Sequence, residues 1–292
     1  MSGSIYIVIT PVRNEQERFD KTITSMIRQT TPPYRWVIVN DGSRDDTGKL
    51  ADHAATKYPW IIVKHRADRG FHQQGTGVIE AFYEGHSVIE REPWDYLVKL
   101  DGDLEFEPDY FEKCLARFAA DPKLGVGGGR IYFRENGSIV DDSPGDPAFH
   151  VRGATKIYRR ATWDAIGGLL RAPGWDTLDE VKANMLGWRT YSFHDLKVLQ
   201  LKATGFADGQ WRNWFKNGLA NYIVGYHPLF MLSKCTRRFF QRPVGVAAVG
   251  LLCGFVSGYL RGVPRVPEPK IIRYVRQQQL NRLLFRESLW RS

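Results

Sequence analysis

The chain has 292 residues, 43% of them hydrophobic and nine of them tryptophan, enough for one large core or a core with an appendage; disorder is excluded as an overall reading. Its three cysteines, Cys114, Cys235 and Cys253, are far apart without CxxC spacing, so neither a disulfide framework nor a zinc site is indicated and a reducing compartment is expected. The net charge of +9 is uneven: from Phe206 onward 14 Lys and Arg face 3 Asp and Glu, leaving 27 against 29 before it. A near-neutral body with a basic, apolar-rich tail argues against a nucleic-acid partner and for an anionic membrane surface.

The opening MSGSIYIVIT lacks the succession of basic region, apolar stretch and cleavage site, so no secretory signal is expected and the catalytic part is placed in the cytosol. IYIVIT (5–10) is a β-branched run that predicts a first strand, and Phe19, Ile23, Met26 and Ile27 then recur at helical spacing. A second strand, WVIVN (36–40), leads through Asp41 and Gly42 into DDTGKLADHAATKY, with acids at the helix start. WIIVKH (60–65) predicts a third strand, followed by a glycine-bearing loop and the helical GVIEAFYEGHSVI. A fourth, DYLVKL (95–100), ends in Asp101 and Asp103. Alternating apolar strands and helices predict an α/β, Rossmann-type, mostly parallel sheet with helices on both faces.

Such sheets bind ligands outside the carboxyl ends of their strands, and the polar clusters here follow the strands. Thr10, Pro11, Arg13, Asn14 and Glu15 follow the first, Asn40 to Ser43 the second, and Asp101 and Asp103 the fourth. Oxygen donors without paired histidines or cysteines suit Mg²⁺ or Mn²⁺, which take one or two carboxylates and complete their shell with phosphates and water. A metal-bridged diphosphate is therefore the expected guest. Gly102 is expected to turn the backbone so that one acid takes a ribose hydroxyl and the other the metal. Asp41 is read either as a ligand of a base imide or ribose, or as part of an ordinary Asp-Gly turn. GVGGGR (125–130) has no Walker lysine and is read as a tight turn or close packing, RENGS (134–138) as a hairpin turn, and DDSPGDPAFH (141–150) as a lid or a surface loop. Arg66, Arg69 and Gln74 are either diphosphate contacts or solvated loop residues.

TPVRNE, VNDGSRDDT and KLDGD, in this order and spacing, resemble the family-2 glycosyltransferases, and the resemblance continues through GATKIYRRATWDAIGGL and GWDTLDEVKANMLGW, covering residues 4–204. It implies the nucleotide-sugar-binding fold called GT-A in residues 1–205. It also implies a donor contacted by Thr10, Pro11, Arg13, Glu15 and Asp41, with Asp41 on the nucleoside and Pro11 by the base. Asp101 would meet the ribose or metal, and Asp103 the metal-diphosphate. The family implies inversion, for which a carboxylate must take the acceptor proton. Counting back from Gly187 places that base at Asp176, preceded by Trp175 where the family carries an acid; Asp179 and Glu180 are rivals, with an acidic helix turn as their other reading. Where many relatives carry a metal-binding histidine this chain has Gln200, and His194 lies six residues earlier.

Residues 206–292 are expected to form a basic, apolar-rich helical region. Pro243–Leu260 carries no charge over 18 residues and Leu219–Ser233 none over 15, with Lys234, Arg237, Arg238, Arg242, Arg261 and Arg265 around them. A spanning helix needs about 20 apolar residues, so interfacial helices or a re-entrant hairpin fit better. Gly250, Gly254 and Gly258 allow close helix packing and thereby a homo-oligomer. Ile272, Val275, Leu283 and Leu284 lie among arginines, as in a basic amphipathic helix or in one packed on the catalytic part. The expected function is sugar transfer from a nucleotide donor, UDP first, to a lipid-linked or polysaccharide acceptor at the cytosolic membrane face. Sugar-1-phosphate nucleotidyl transfer is the alternative, disfavoured because TPVRNEQERF lacks the glycine-rich triphosphate loop it requires. A non-catalytic nucleotide-binding membrane module is a further one.

Overall fold

Nine strands form one twisted sheet in the computed structural model, which describes residues 4–68, 76–135, 137–202, 210–240 and 244–290. Arg69 and Gln74 lie outside the described residues. The first half alternates as the sequence suggests: β1 (Tyr6–Val12), α1 (Phe19–Ile27), β2 (Arg35–Asp41), α2 (Thr47–Lys57), β3 (Ile61–Arg66), α3 (Thr76–Val88) and β4 (Tyr96–Leu100). Then follow β5 (Leu104–Phe106), α4 (Tyr110–Ala120), β6 (Leu124–Glu135), β7 (Ser138–Asp141), β8 (Thr155–Arg159), α5 (Arg160–Ile166), α6 (Trp175–Met185) and β9 (Arg189–Gln200). The order is β3-β2-β1-β4-β8-β6-β9-β5, with β7 beside β6.

Alternate residues of β1 enter opposite cores, as the two-residue period of a strand requires. Tyr6 and Val8 join Phe19, Met26, Ala51, Phe111 and Phe118 on the face covered by α1, α2 and α4. Ile7 and Ile9 join Ile79, Phe82, Trp163 and Ile166 on the face covered by α3 and α5. Helices thus cover both faces, but the sheet is mixed and not mostly parallel: β8 is antiparallel to β4 and β6, and β5 and β7 are antiparallel to β9 and β6. Parallel pairing holds for β1 with β2 and β4, β2 with β3, and β6 with β9.

The first strand runs two residues past the apolar stretch. β1 pairs with β4 only to Ile9, opposite Lys99, but with β2 to Val12, opposite Asn40. Pro11, which has no N–H to give, sits in the part that has lost its β4 neighbour. β1 therefore outruns its β4 neighbour at the carboxyl rim.

GVGGGR is strand, not turn: a methyl group on Gly128 would lie 2.2 Å from the Thr155 carbonyl oxygen and one on Gly129 2.5 Å from that of Leu196. β6 and β7 form the hairpin expected at RENGS, with Glu135 opposite Ser138.

The C-terminal helices are α7 (Gln210–Val224), α8 (Pro228–Phe239), α9 (Val246–Leu260) and α10 (Pro269–Leu283). They share a third core with Leu178 and Val181 of α6 and with Phe149. The glycine row meets α7 within the same chain: a Cβ on Gly254 would lie 2.0 Å from the Phe215 carbonyl oxygen, and one on Gly218 2.1 Å from that of Leu251. That face of α9 is covered, so it is not the oligomer contact expected from its spacing. α10 buries Ile271, Val275 and Gln279, and it packs on α6, where Lys182 pairs with Glu268 at 2.9 Å. Ile272, Leu283 and Leu284 lie off that buried face. No helix among the described residues is long and apolar enough to cross a membrane.

Candidate active site

The carboxyl rim carries two sets of contacts, both anchored on the loop after β1. Asn14 holds this loop to the one after β2: it adopts φ 55°, its N–H donates to Ser43 Oγ at 3.1 Å, and its Oδ1 accepts from the Arg44 N–H at 2.9 Å. Asparagine tolerates this left-handed conformation better than most residues. Gly42 (φ +67°) is required where it stands, because a Cβ there would come within 2.5 Å of the Asp68 backbone.

On the β2 side, Arg13 donates to the Asp41 carbonyl at 3.0 Å and to Asp68 Oδ1 at 2.8 Å. Asp41 is nearly buried, and its Oδ1 accepts from Arg66 at 2.6 Å. Arg66 is thus an ion-pair partner of Asp41 at the rim. Thr10 is fully buried and its Oγ1 accepts the Trp36 indole N–H at 2.8 Å, so this hydroxyl braces the core beneath the rim instead of facing a ligand. Pro11 is likewise buried in β1.

On the β4 side, Glu15, Asp101 and Asp103 gather. Asp103 is 6% exposed, its carbonyl accepts the Leu201 N–H, and its Oδ2 accepts from Gln200 at 3.3 Å. Burial, followed by the charges of Asp101 and Glu15, pushes Asp103 up to about 7. Glu15 Oε1 pairs with Lys202 at 2.8 Å, while its Oε2, buried with no hydrogen-bond partner, lies 3.8 Å from Arg18 Nη1. Asp101 remains part-exposed, its N–H bonded to the Ala154 carbonyl and its Oδ1 accepting from the buried Lys99 ammonium. Gly102 has no positive φ; its role is contact, since a Cβ would lie 2.4 Å from Val12.

A buried carboxyl raised by two neighbouring carboxylates is a place where a divalent cation would offset the crowded negative charge. Among the described residues no three His, Cys, Asp or Glu converge as a ready-made metal centre. Asp103 and Asp101 are hard oxygen donors of the kind that would hold a divalent cation, with phosphates and water completing its shell. His194 is exposed on β9 and takes no part.

The three candidate bases are separated by their surroundings. Asp179 and Glu180 are fully buried and claimed by Lys156: the ammonium lies 2.9 Å from Asp179 Oδ1 and 2.9 Å from Glu180 Oε1. Tyr158 also donates to Asp179, and Glu180 accepts from the Val151 N–H and pairs with His150 at 2.8 Å. These two acids are structural counter-ions and cannot reach a substrate. Asp176 is part-exposed in the first turn of α6, and its carboxylate makes no hydrogen bond or ion pair among the described residues. It is joined to the rim through Trp175, whose ring centroid is 5.5 Å from both the Lys99 and Lys156 ammoniums. A Cβ on Gly153, next to Ala154, would meet both the Trp175 ring and the Asp176 Cβ, at 3.0 and 3.3 Å.

Lys99, Lys156 and Lys202 were not among the sequence candidates. For the first two a signal existed, a lone charge inside an otherwise apolar strand (DYLVKL, TKIY), which makes sense only if a counter-charge is buried opposite it. Lys202 had none, since its partner Glu15 is 187 positions away.

A sheet of this order, with acids along its carboxyl rim, defines a GT-A-like α/β fold, and solved structures share it. A mannosyltransferase from Pyrobaculum calidifontis, in complex with GDP-Man and Mn²⁺, superposes with a TM-score of 0.55 at 16% identity over 98% of this chain and 76% of that one. TarS 1–349 of S. aureus, in complex with UDP, gives 0.54 at 15% identity over 88% and 72%. Residues 7–150 match, and belong to, glycosyl transferase family 2. Among relatives, the polyprenol monophosphomannose synthase of Mycolicibacterium smegmatis is 30% identical over 122 residues, 41% of this chain and 43% of that protein. The uncharacterized glycosyltransferase YibD of Escherichia coli K12 is 29% identical over 141 residues, 48% and 38% respectively. The chain spans less than half the length of these relatives.

Proposed function

We propose that the chain is an inverting, metal-dependent glycosyltransferase that moves a sugar from a nucleoside-diphosphate donor, UDP first among the candidates, to a lipid-linked or saccharide acceptor. The observation that carries this reading is the gathering of Glu15, Asp101 and Asp103 after β1 and β4, with Asp41 at the end of the neighbouring β2 on the same rim. GDP-Man with Mn²⁺ and UDP in the two structural neighbours support a donor of this class. A polyprenol monophosphomannose synthase and a poly-β-1,6-N-acetyl-D-glucosamine synthase of Staphylococcus aureus among the relatives support the acceptor classes.

In this reading Asp41, steadied by Arg66, meets the nucleoside, and Lys99 fixes the direction of Asp101. A divalent cation held by Asp103 and Asp101 would stabilise the charge of the departing diphosphate. Lys202, at the end of β9, adds a protein-borne positive charge beside the same acids. A sugar hydroxyl is a weak nucleophile near neutral pH; Asp176 takes its proton as the anomeric carbon is attacked from the side opposite the diphosphate.

The cytoplasmic face of a membrane is the proposed workplace. Val249, Leu252, Val256 and Leu260 form an exposed apolar row on α9, opposite the glycine face, with the exposed Arg261 at its end. Residues 1–205 would do the chemistry and 206–292 would meet the lipid surface.

The test is release of nucleoside diphosphate from a panel of nucleotide sugars with Mn²⁺ and lipid-phosphate or oligosaccharide acceptors. Asp176→Asn is expected to cut transfer by roughly 10²–10⁴-fold, the usual range for a general base, while donor binding persists. Undiminished transfer by that variant would remove the base.

A further inference from the structure

α8 carries three cations faced, among the described residues, by one acid. Lys234, Arg237 and Arg238 stand at i, i+3 and i+4, so they share one side of the helix. None of them makes a hydrogen bond or ion pair among the described residues. Arg238 is half-buried, with its guanidinium 5.0 Å from the Trp214 ring and a buried Nε that has no partner. Lys234 sits 5.2 Å from the Tyr226 ring, and Arg237 reaches the 142–153 loop, its Nη2 only 3.5 Å from where a Cβ on Gly145 would stand. Burial, with Arg238 behind it, pushes the Lys234 ammonium down to about 8. The one acid facing the group among the described residues is Asp146: burial pushes it up, but His150, Arg152, Lys234 and Arg238 outweigh this and hold it below the usual carboxylate range. Three cations against one acid leave the cluster with an excess of positive charge.

The cluster also lies toward the proposed base. Burial raises the Tyr226 hydroxyl, and the charges of Asp146 and then Asp176 add to it, which places Asp176 within electrostatic reach of the ring that Lys234 covers. Phe240, one turn on from Arg237, and Val244 just beyond are exposed, while exposed Leu232 and Phe239 turn to other sides of α8. A positive cluster beside apolar surface is the complement of a phosphate carried on a hydrocarbon chain.

We propose that Lys234, Arg237 and Arg238 seat the phosphate of a lipid-phosphate acceptor, with the lipid chain lying along the exposed apolar residues at the end of α8. This rests on the transferase reading and narrows its acceptor from the lipid-or-saccharide class to a phosphate-bearing lipid.

Calorimetric titration of the full chain with farnesyl monophosphate, farnesol and inorganic phosphate tests it. Farnesyl monophosphate is expected to bind at least roughly tenfold more tightly than either other probe, because only it offers both the charge and the chain. Arg237→Gln should weaken it by about tenfold or more, and Arg237→Lys by only a few-fold, since the charge remains. Farnesol or inorganic phosphate binding as tightly as farnesyl monophosphate, or Arg237→Gln leaving its affinity unchanged, would overturn the proposal. Binding of UDP with Mn²⁺ by the same samples separates the two readings. A chain that takes UDP but not farnesyl monophosphate loses the phosphate seat alone; one that takes farnesyl monophosphate through Arg237 but no nucleoside diphosphate keeps the seat and loses the transferase.

Discussion

Asp176 and Asp179 lie one helical turn apart on α6, yet their surroundings assign them different work. Asp179 shares a dry pocket with Lys156, and removing one partner of a buried pair leaves the other uncompensated. Asp179→Ala is therefore expected to cost about 3–5 kcal/mol in chemical denaturation, while Asp176→Asn, at a part-exposed position without partners, should stay within about 0.5 kcal/mol of wild type. A stable but inactive Asp179→Ala protein would reverse the roles. The sequence put Asp176 first of three acids near this helix turn but left Asp179 and Glu180 as rivals, because what sets those two apart is Lys156, 23 positions from Asp179 on a strand. The acids after β1, β2 and β4 were legible, since strand ends define the rim wherever the sheet twists. Thr10 and Gly102 were misjudged for a related reason: what they do depends on Trp36 and Val12, which only the folded sheet brings near.

His150 supplies a pH test at the same scale. Burial lowers its proton affinity, but the charge and hydrogen bond of Glu180 prevail and hold it above the ordinary histidine range. A base whose folded value is raised stabilises the fold fully below its unfolded value, near 6.5, and loses that contribution as pH climbs through the folded value. Melting temperatures measured across rising pH from 6 should therefore fall more steeply in wild type than in His150→Gln, the difference reaching at most about 1.4 kcal/mol per pH unit for one proton. Parallel curves would show that His150 is not charged in the folded protein.

Among elements, the first four strands and their helices were readable from apolar runs and helical spacing, because each is buried on a regular face. β8 escaped notice since TKIYR carries a buried lysine and an arginine in five residues, and its antiparallel return is what makes the sheet mixed. The glycine row of α9 was visible as a pattern, though its partner was not; spacing says that a helix can approach and leaves open which one. α7 and α9 meet backbone to backbone there, so Gly254→Leu should part them and cost about 1–3 kcal/mol or more, as overpacking does, read by denaturant unfolding. An unchanged midpoint would mean that the contact is looser than the 2.0 Å clearance implies.

At the scale of the molecule, the division of charge between the two parts of the chain acquires a geometry. The basic third folds onto the catalytic part through α6 and α10, yet leaves the apolar row of α9 in the open. Full-length protein is expected to sediment with phosphatidylserine-rich vesicles at low salt, and Leu252→Glu with Val256→Glu to abolish this, since two carboxylates would face both lipid and anionic headgroups. Retention on vesicles by the double variant would move the contact elsewhere.

The central claim is that carboxylates on the rim bind a nucleoside diphosphate through a shared divalent cation. Titrating UDP into the full-length chain by calorimetry, with Mn²⁺ and with EDTA, and repeating both in Asp103→Asn, tests it most directly. Binding that needs Mn²⁺ in wild type and disappears in Asp103→Asn is the predicted result. Equal affinity with and without the cation, or an Asp103→Asn protein that binds as wild type does, would contradict it.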